Sequence, residues 1–192
     1  MVDLLTNKNY NFNIYIFNPR SIIMKKSKKE LKKLSQNIKL VLTDVDGVLT
    51  DGGMYYSKEG EHMKKFNTKD GMAVELLKSI NIKTIFITRE NSKISIQRAK
   101  KVKSDILSGI LRKELELSAI CKKFKVLENQ IAYVGDDVND YEIMQKVGFS
   151  ACPNDAHEKI KKISMYCCSK KGSEGVLREV ADLIMNTNIL KK

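Results

Sequence analysis

Tryptophan is absent from this chain of 192 residues, which also holds only two prolines, two histidines and four cysteines. The cysteines form no CxxC pair and have no histidine at ligand spacing, which argues against a zinc site and indicates reduced, mostly structural thiols. No apolar run approaches the ~18 residues that a membrane-crossing helix needs. Asparagines interrupt the apolar stretches near the N-terminus, and no small-residue cleavage site follows, unlike a signal peptide. We therefore expect a cytoplasmic protein without a membrane partner.

The positive charge of the chain is concentrated near its N-terminus. Residues 1–36 hold eight Lys and Arg residues against two acidic ones, so they carry six of the twelve net positive charges. A Lys-rich run can contact nucleic acid or an anionic membrane, but we favour a solvated helix ahead of the first strand, and we expect no nucleic-acid partner. We interpret 1–36 as a basic extension whose order the sequence leaves open. We also expect Met24 to be the natural start.

Residues 37–192 alternate between strand and helix patterns, as in a single α/β domain. Strands are predicted at residues 38–43, 83–88, 105–107, 131–134, 149–152 and 165–167. Helices are predicted at residues 70–80, 92–101, 112–124 and 173–186, with Met72 and Leu115 on their apolar sides. This order predicts a Rossmann-like, doubly wound, mainly parallel sheet with helices on both faces.

The segment at residues 51–66 interrupts that alternation. It shows a short apolar–polar alternation around Lys58, Glu59 and Gly60, which is typical of a β-hairpin. The segment is too short for an independent cap domain, so we expect a hairpin flap. Its apolar residues could pack on their own subunit, but we favour an interface with other copies, because exposed apolar patches usually mark interfaces.

Two carboxylates follow the first strand of the domain. Asp44 and Asp46 are two residues apart, so their side chains point to the same side beyond the strand end. Like charges this close repel one another unless a cation lies between them or one holds a proton. A hard cation with oxygen ligands, most simply Mg²⁺, resolves the conflict. An Asp- and Gly-rich turn is the alternative explanation of this stretch alone.

Other polar residues follow neighbouring strands. Thr88 ends the second strand, an acidic run with Asp136, Asp137 and Asp140 follows residues 131–134, and Lys113 lies in a loop or at a helix start. Singly, these have simpler explanations as a strand end, a helix cap or an exposed lysine. In such sheets ligands bind outside the carboxyl ends of the strands. Carboxylates for a cation, with a hydroxyl and a lysine for an anion, together predict a phosphoryl site with Mg²⁺.

The stretches DVDGVLTDG and ITREN, then Lys113, then GDDVND resemble the four motifs of the haloacid dehalogenase superfamily, in the expected order. Residues 37–186 resemble its capless branch typified by 3-deoxy-D-manno-octulosonate 8-phosphate phosphatase. The features specific to that branch are VDGVLTDGGMYY, FNTKDGMAVELL, the spacing from Gly109 to Lys113, and EGVLREVADLI.

The resemblance implies four catalytic residues. Asp44 attacks phosphorus and becomes an aspartyl-phosphate, and Asp46 protonates the leaving oxygen and then activates water. Thr88 hydrogen-bonds the phosphoryl oxygens, and Lys113 neutralises charge on the nucleophile and the phosphoryl group. These roles imply a phosphoric monoester hydrolase.

The resemblance also implies a Mg²⁺ site. Its ligands would be Asp44, the backbone carbonyl of Asp46, and Asp136. Asp137 and Asp140 would lie in the outer shell of the metal. Mg²⁺ is therefore the expected cofactor.

The implied substrate is 3-deoxy-D-manno-octulosonate 8-phosphate, an intermediate in lipopolysaccharide biosynthesis, and the implied assembly is a homotetramer. The branch typically reads Thr-Gly-Arg after the second strand, where this chain has Thr88, Arg89, Glu90 and Asn91, and Glu174 replaces a basic residue. These departures leave a sialic-acid-type nonulosonate 9-phosphate as an alternative substrate. A non-catalytic oligomerisation module and a phosphoacceptor signalling domain are further alternatives.

Candidate substrate contacts are basic residues near these departures, namely Lys65, Lys69 and Arg89. His62 and His157 are interpreted as surface or hydrogen-bonded residues, because the implied mechanism already has its acid and base.

Overall fold

A computed structural model of the chain describes residues 27–188. Its helices are α1 Lys28–Ser35, α2 Thr68–Ser79, α3 Lys93–Val102, α4 Leu117–Phe124, α5 Tyr141–Lys146, α6 Glu158–Ile163 and α7 Val176–Asn188. Its strands are β1 Leu40–Thr43, β2 Tyr55–Ser57, β3 Gly60–Met63, β4 Lys83–Ile87, β5 Asp105–Leu107, β6 Ile131–Val134, β7 Phe149–Cys152 and β8 Tyr166–Cys167. The proposed start at Met24 lies outside the described residues.

Six strands form one sheet in the order β5-β4-β1-β6-β7-β8, and every pair is parallel. The predicted doubly wound, mainly parallel sheet is therefore confirmed. β1 lies inside it, in register with β4 on one side and β6 on the other. All four residues of β1 are buried, and alternate residues enter two separate apolar cores, one on each face. The chain thus carries Asp44 to the middle of the carboxyl edge of the sheet.

The described part of the basic extension is a helix that packs on the domain. Ser27 and Glu30 cap α1 through a reciprocal pair of side-chain hydrogen bonds. Leu31 is buried in the core on one face of the sheet, and the Ser35 hydroxyl donates to Thr187 Oγ1 at 3.0 Å. α1 therefore packs beside α7, while the domain boundary at residue 36 stays a prediction.

Two predicted helical faces differ from the structure. α2 buries Asp70, Ala73, Val74 and Leu77, and Met72, which lies off this face, is 46% exposed. The helix predicted at residues 112–124 is a 3₁₀ turn, Lys113–Leu115, followed by α4. The turn directs Lys113 inward, and Leu115 is 61% exposed as a result.

The hairpin predicted between the first strand and the first domain helix is present. β2 and β3 form a separate two-stranded antiparallel sheet, joined at Lys58 and Glu59. Gly60 closes the turn with φ of +114°, a conformation that favours glycine. We call residues 54–64 the flap. No helix among the described residues is long and apolar enough to cross a membrane.

Candidate active site

The turn after β1 brings Asp44 against Asp136. Asp44 continues the strand ladder by donating its backbone N–H to the Val134 carbonyl at 2.8 Å, and only 4% of the residue is exposed. Gly47 then reverses the chain with φ of +90°. A Cβ atom at Gly47 would lie 2.0 Å from Asp136 Oδ2, so any other residue would push Asp136 away. Glycine at this position therefore allows the two acidic loops to meet.

The C-terminal loop before α7 supports the same turn from behind. A Cβ atom at Gly172 would lie 2.3 Å from the Gly47 carbonyl oxygen, and the Ser173 backbone N–H donates to the Val48 carbonyl at 3.1 Å. The Asn67 side chain donates to the Ser173 carbonyl at 2.8 Å. The geometry of the Asp44 turn consequently depends on residues far along the chain.

Lys113 reaches the same point from the 3₁₀ turn after β5. Its ammonium lies 2.7 Å from Asp44 Oδ1 and 2.6 Å from Asp140 Oδ1, and only 1% of the residue is exposed. Burial by itself lowers the pKa of Lys113, but the charges of Asp44 and Asp140 outweigh burial and raise it. Lys113 is therefore a fixed cation beside Asp44.

Asp140 accepts hydrogen bonds from several residues at the centre of the site, a role that the sequence did not reveal. Its Oδ1 also accepts from the Tyr133 hydroxyl at 2.6 Å, and its Oδ2 accepts from the backbone N–H groups of Asp136 at 2.9 Å and Asp137 at 3.4 Å. Both oxygens are thus occupied by donors, so Asp140 orients Lys113 and the loop after β6. Tyr133 gives no sequence signal, because a tyrosine inside a buried strand is typical of core.

Three carboxylates lie close enough to hold a metal ion. Among the described residues, Asp44, Asp136 and Asp140 bring one oxygen each within 4.8 Å of the others. Asp136 Oδ1 is buried without a hydrogen-bond partner in the described part of the chain. Burial, with the charges of Asp44 and Asp140, raises the pKa of Asp136 to about 9, and burial with the charge of Asp140 raises that of Asp44 to about 7. Several carboxylate oxygens close together, one of which accepts no hydrogen bond, fit a hard divalent cation such as Mg²⁺.

Two other predicted metal residues lie differently. Asp137 Oδ1 accepts the Val138 backbone N–H at 2.7 Å and so caps its own helical turn, and Asp137 is not one of the three clustered carboxylates. Asp46 directs its carboxylate toward Thr88, whose hydroxyl lies 3.4 Å from Asp46 Oδ2. The roles of Asp137 in an outer shell and of the Asp46 carbonyl as a ligand stay predictions.

Lys64 of the flap is a second buried cation, and the sequence analysis missed it. Its ammonium lies 2.7 Å from Asp46 Oδ1 and 3.0 Å from Glu61 Oε1, and its side chain is 0% exposed. Burial pulls the pKa of Lys64 down, but hydrogen bonds and charge from Asp46 and Glu61 raise it overall. Its neighbour Lys65 forms only a partly exposed ion pair with Asp51 at 3.5 Å. Nothing in the local sequence distinguishes these two adjacent lysines.

A cavity of about 330 Å³ opens above the strand ends. Asp44, Asp46, Thr88, Arg89 and Met54 of the flap are among the residues that line it. Lys65 and Lys69, the other predicted substrate contacts, are not among its lining residues in the described structure. Lys69 instead lies beside Gly175 of the C-terminal loop. All three substrate contacts stay predictions.

The fold and this cluster define a class of protein. Carboxylates, a lysine and a hydroxyl lie together at the carboxyl edge of a parallel sheet. The carboxylates can bind a cation, and the lysine and hydroxyl can bind an anion beside it. A profile of haloacid dehalogenase-like hydrolases matches residues 4–180. The chain belongs to the haloacid dehalogenase-like hydrolase family, and the predicted resemblance is confirmed.

Within that family the chain is similar to octulosonate phosphatases. The 3-deoxy-D-manno-octulosonate 8-phosphate phosphatase KdsC of Salmonella typhi is 34% identical over 152 residues, 79% of this chain and 81% of the relative. The structure of the Yersinia pestis phosphatase of that name gives a TM-score of 0.81 at 32% identity, covering 83% of this chain and 87% of that one.

A Moraxella catarrhalis phosphatase of the same name was solved with a magnesium ion, a phosphate ion and KDO. It gives a TM-score of 0.81 at 33% identity, covering 84% of this chain and 93% of that one. That relative binds magnesium, and the carboxylate group of this chain is able to hold such an ion.

Proposed function

We propose that this chain is a Mg²⁺-dependent phosphatase that hydrolyses 3-deoxy-D-manno-octulosonate 8-phosphate through an aspartyl-phosphate. The observation that carries the proposal is the contact of 2.7 Å between Lys113 and Asp44 within a buried carboxylate group. A carboxylate that is held by a fixed ammonium and faces a cavity is suited to attack a bound phosphoryl group. The substrate is proposed from the KdsC relatives, which are named as phosphatases of this ester.

In the first half-reaction, an oxygen of Asp44 forms a bond to phosphorus while the bond from phosphorus to the sugar oxygen breaks. The sugar oxygen takes the electron pair of that bond and a proton from Asp46, and the sugar leaves as an alcohol. Thr88 and Lys113 donate hydrogen bonds to the phosphoryl oxygens and offset their charge.

In the second half-reaction, water attacks phosphorus and gives a proton to Asp46. The bond from phosphorus to Asp44 breaks, so inorganic phosphate is released and Asp44 regains its carboxylate. Asp46 thus returns to its protonated form, and the same residue serves as acid and then as base.

Asp44, Asp136 and the backbone carbonyl of Asp46 would hold Mg²⁺, which when bound offsets phosphoryl charge and aligns the ester for in-line attack. The orphaned, buried Asp136 Oδ1 supports this assignment. Lys113 keeps Asp140 paired, so that two carboxylates remain for the cation.

Arg89 would bind the carboxylate of the acidic sugar, since it is the cationic residue among the described residues that line the cavity. Lys65 and Lys69 would contribute from neighbouring surfaces. The alternative substrate with nine carbons and the non-catalytic module receive no support from the relatives, which are named as octulosonate phosphatases.

A homotetramer assembled through the flap is part of the proposal. Tyr55 is 53% exposed, Tyr56 67% and Met63 50%, which leaves an apolar surface on the hairpin that the described residues do not cover. Light scattering that gives the mass of a single chain would contradict this assembly.

The test of the function is phosphate release with Mg²⁺ from octulosonate 8-phosphate and from a nonulosonate 9-phosphate, measured side by side. We expect clear preference for the ester with eight carbons. Preference for nine carbons would instead make Arg89 to Asn91 and Glu174 specificity determinants and overturn the substrate. Release from neither ester, with Asp44 intact, would overturn the proposed function.

A further inference from the structure

The flap delivers its buried lysine to the residue that we propose as the acid and base. Lys64 lies between Asp46 and Glu61, at 2.7 Å and 3.0 Å, and the side chains of these partners are only 17% and 19% exposed. An ion pair removed from water in this way is stronger and better oriented than a surface pair.

This contact discriminates between the two oxygens of Asp46. Oδ1 accepts from Lys64, whereas Oδ2 lies 3.4 Å from the hydroxyl of Thr88, and both Asp46 and Thr88 line the cavity. The terminal torsion of an aspartate is broad, so an unrestrained carboxylate would rotate between several orientations. Lys64 restrains it in one.

From this geometry we infer that Lys64 is a positioning residue, which holds Asp46 Oδ1 so that Oδ2 delivers its proton to the leaving oxygen. The inference rests on the proposed phosphatase function. As the bond from phosphorus to the sugar oxygen breaks, the proton passes from Asp46 Oδ2 to that oxygen. The ammonium of Lys64 then stabilises the carboxylate that remains.

The positioning extends from the flap to a third element. Glu61 accepts a hydrogen bond from the hydroxyl of Ser92, which also caps α3 by accepting from the Ser95 backbone N–H. Ser92 directly follows the loop of Arg89 to Asn91. Lys64 is thereby held between the end of the sheet, the flap and the start of α3, so proton delivery depends on the contact of the flap with α3.

The test compares two leaving groups with the variant Lys64→Met. The nitrophenolate of p-nitrophenyl phosphate leaves without a proton, whereas the sugar oxygen of octulosonate 8-phosphate requires one. We expect kcat to fall about 100-fold on the sugar ester, because positioned proton donation typically contributes at least about that factor to the rate. On the aryl ester, which needs no proton, we expect a loss of less than about threefold. Lys64→Arg, which keeps the charge, is expected to recover kcat on the sugar ester to within about tenfold of the wild type.

The matched control is Lys83→Met. Lys83 also pairs with an aspartate at 2.7 Å, Asp105, but it begins β4 at the opposite edge of the sheet and is half exposed. We expect this control to leave kcat on both esters unchanged. If Lys64→Met fails to fold, Glu61→Gln replaces it, with an expected selective loss of about tenfold on the sugar ester.

Equal losses on both esters would overturn the inference and leave the phosphatase function standing. Wild-type protein that cleaves only the aryl ester overturns the proposed substrate alone, and the same ratio is then measured with nonulosonate 9-phosphate. Wild-type protein that cleaves no ester overturns the function and, with it, the inference.

Discussion

Lys113 and Lys64 are both buried lysines on acidic residues of one site, but they are held by different parts of the molecule. The partners of Lys113 follow two adjacent parallel strands, whose backbone hydrogen bonds fix them. Lys64 directly follows β3, a strand of a separate two-stranded sheet, and such a sheet has little stability of its own in water. The comparison separates a rigid half of the site, around Asp44, from a half that depends on the flap, around Asp46.

The change that removes most activity should fall in the rigid half. In Asp44→Asn the amide cannot attack phosphorus, so we expect turnover to fall at least about 10⁴-fold. The fold should survive, because the substitution is isosteric and removes one of two negative charges that face Lys113. Phosphate release and circular dichroism check both statements, and substantial residual turnover in pure protein would overturn the assignment of the nucleophile.

Stability should also distinguish the two halves. Lys113→Met leaves Asp44 and Asp140 buried without their cation, so we expect the free energy of unfolding to fall by about 3–5 kcal/mol. Lys83→Met breaks an exposed pair and should cost less than about 1 kcal/mol. Urea unfolding measures both, and similar losses for the two variants would contradict a rigid, buried ion-pair network.

The carboxylates of the rigid half should make Mg²⁺ binding depend on pH. The pKa values of Asp136, about 9, and Asp44, about 7, lie above the ordinary value for aspartate, so the folded, metal-free chain keeps protons that the unfolded chain has released. The stability of the metal-free chain therefore falls as pH rises from the ordinary aspartate pKa of 3.8 toward these raised values. A cation must displace the same protons, so it binds more strongly as pH rises.

We accordingly expect Mg²⁺ to raise the melting temperature more at about pH 8 than at about pH 5.5. Asp136→Asn is the control, because it removes the group with the higher pKa and should flatten the difference. Equal shifts at the two pH values in the wild type would contradict a cation site at Asp136.

The smallest effect on the stability of a single chain should come from the exposed flap surface. Tyr56→Ser removes a side chain from a residue that is 67% exposed, so the unfolding free energy of one chain should change by less than about 0.5 kcal/mol. The tetramer should nevertheless weaken, because the same ring would be buried between copies. Sedimentation at several concentrations measures the assembly, and an unchanged distribution would remove Tyr56 from the interface.

The same division governs what the sequence could predict. Asp44 and Thr88 follow strands whose apolar patterns are unambiguous, so their meeting at one sheet edge follows from topology alone. Asp140 could be placed near the site but not at its centre, because its contact with Lys113 joins segments far apart in the chain, and Tyr133 reads as an ordinary core residue. The sequence could not identify Lys64 rather than Lys65 as the buried lysine, since their burial depends on how the hairpin packs against the sheet. Leu115 was misplaced because a turn that aims Lys113 inward carries an apolar residue outward.

The contact of the C-terminal loop with the Asp44 turn has a consequence for the order of synthesis. A ribosome makes residues 44–50 early, but the backbone of Gly172 and Ser173, which supports that turn, emerges among the last parts of the domain. A nascent chain that stops before this loop has Lys113 and all the acidic residues of the active site, but lacks the support behind them. We therefore expect the growing chain to have no activity on phosphate esters until the domain is almost fully translated.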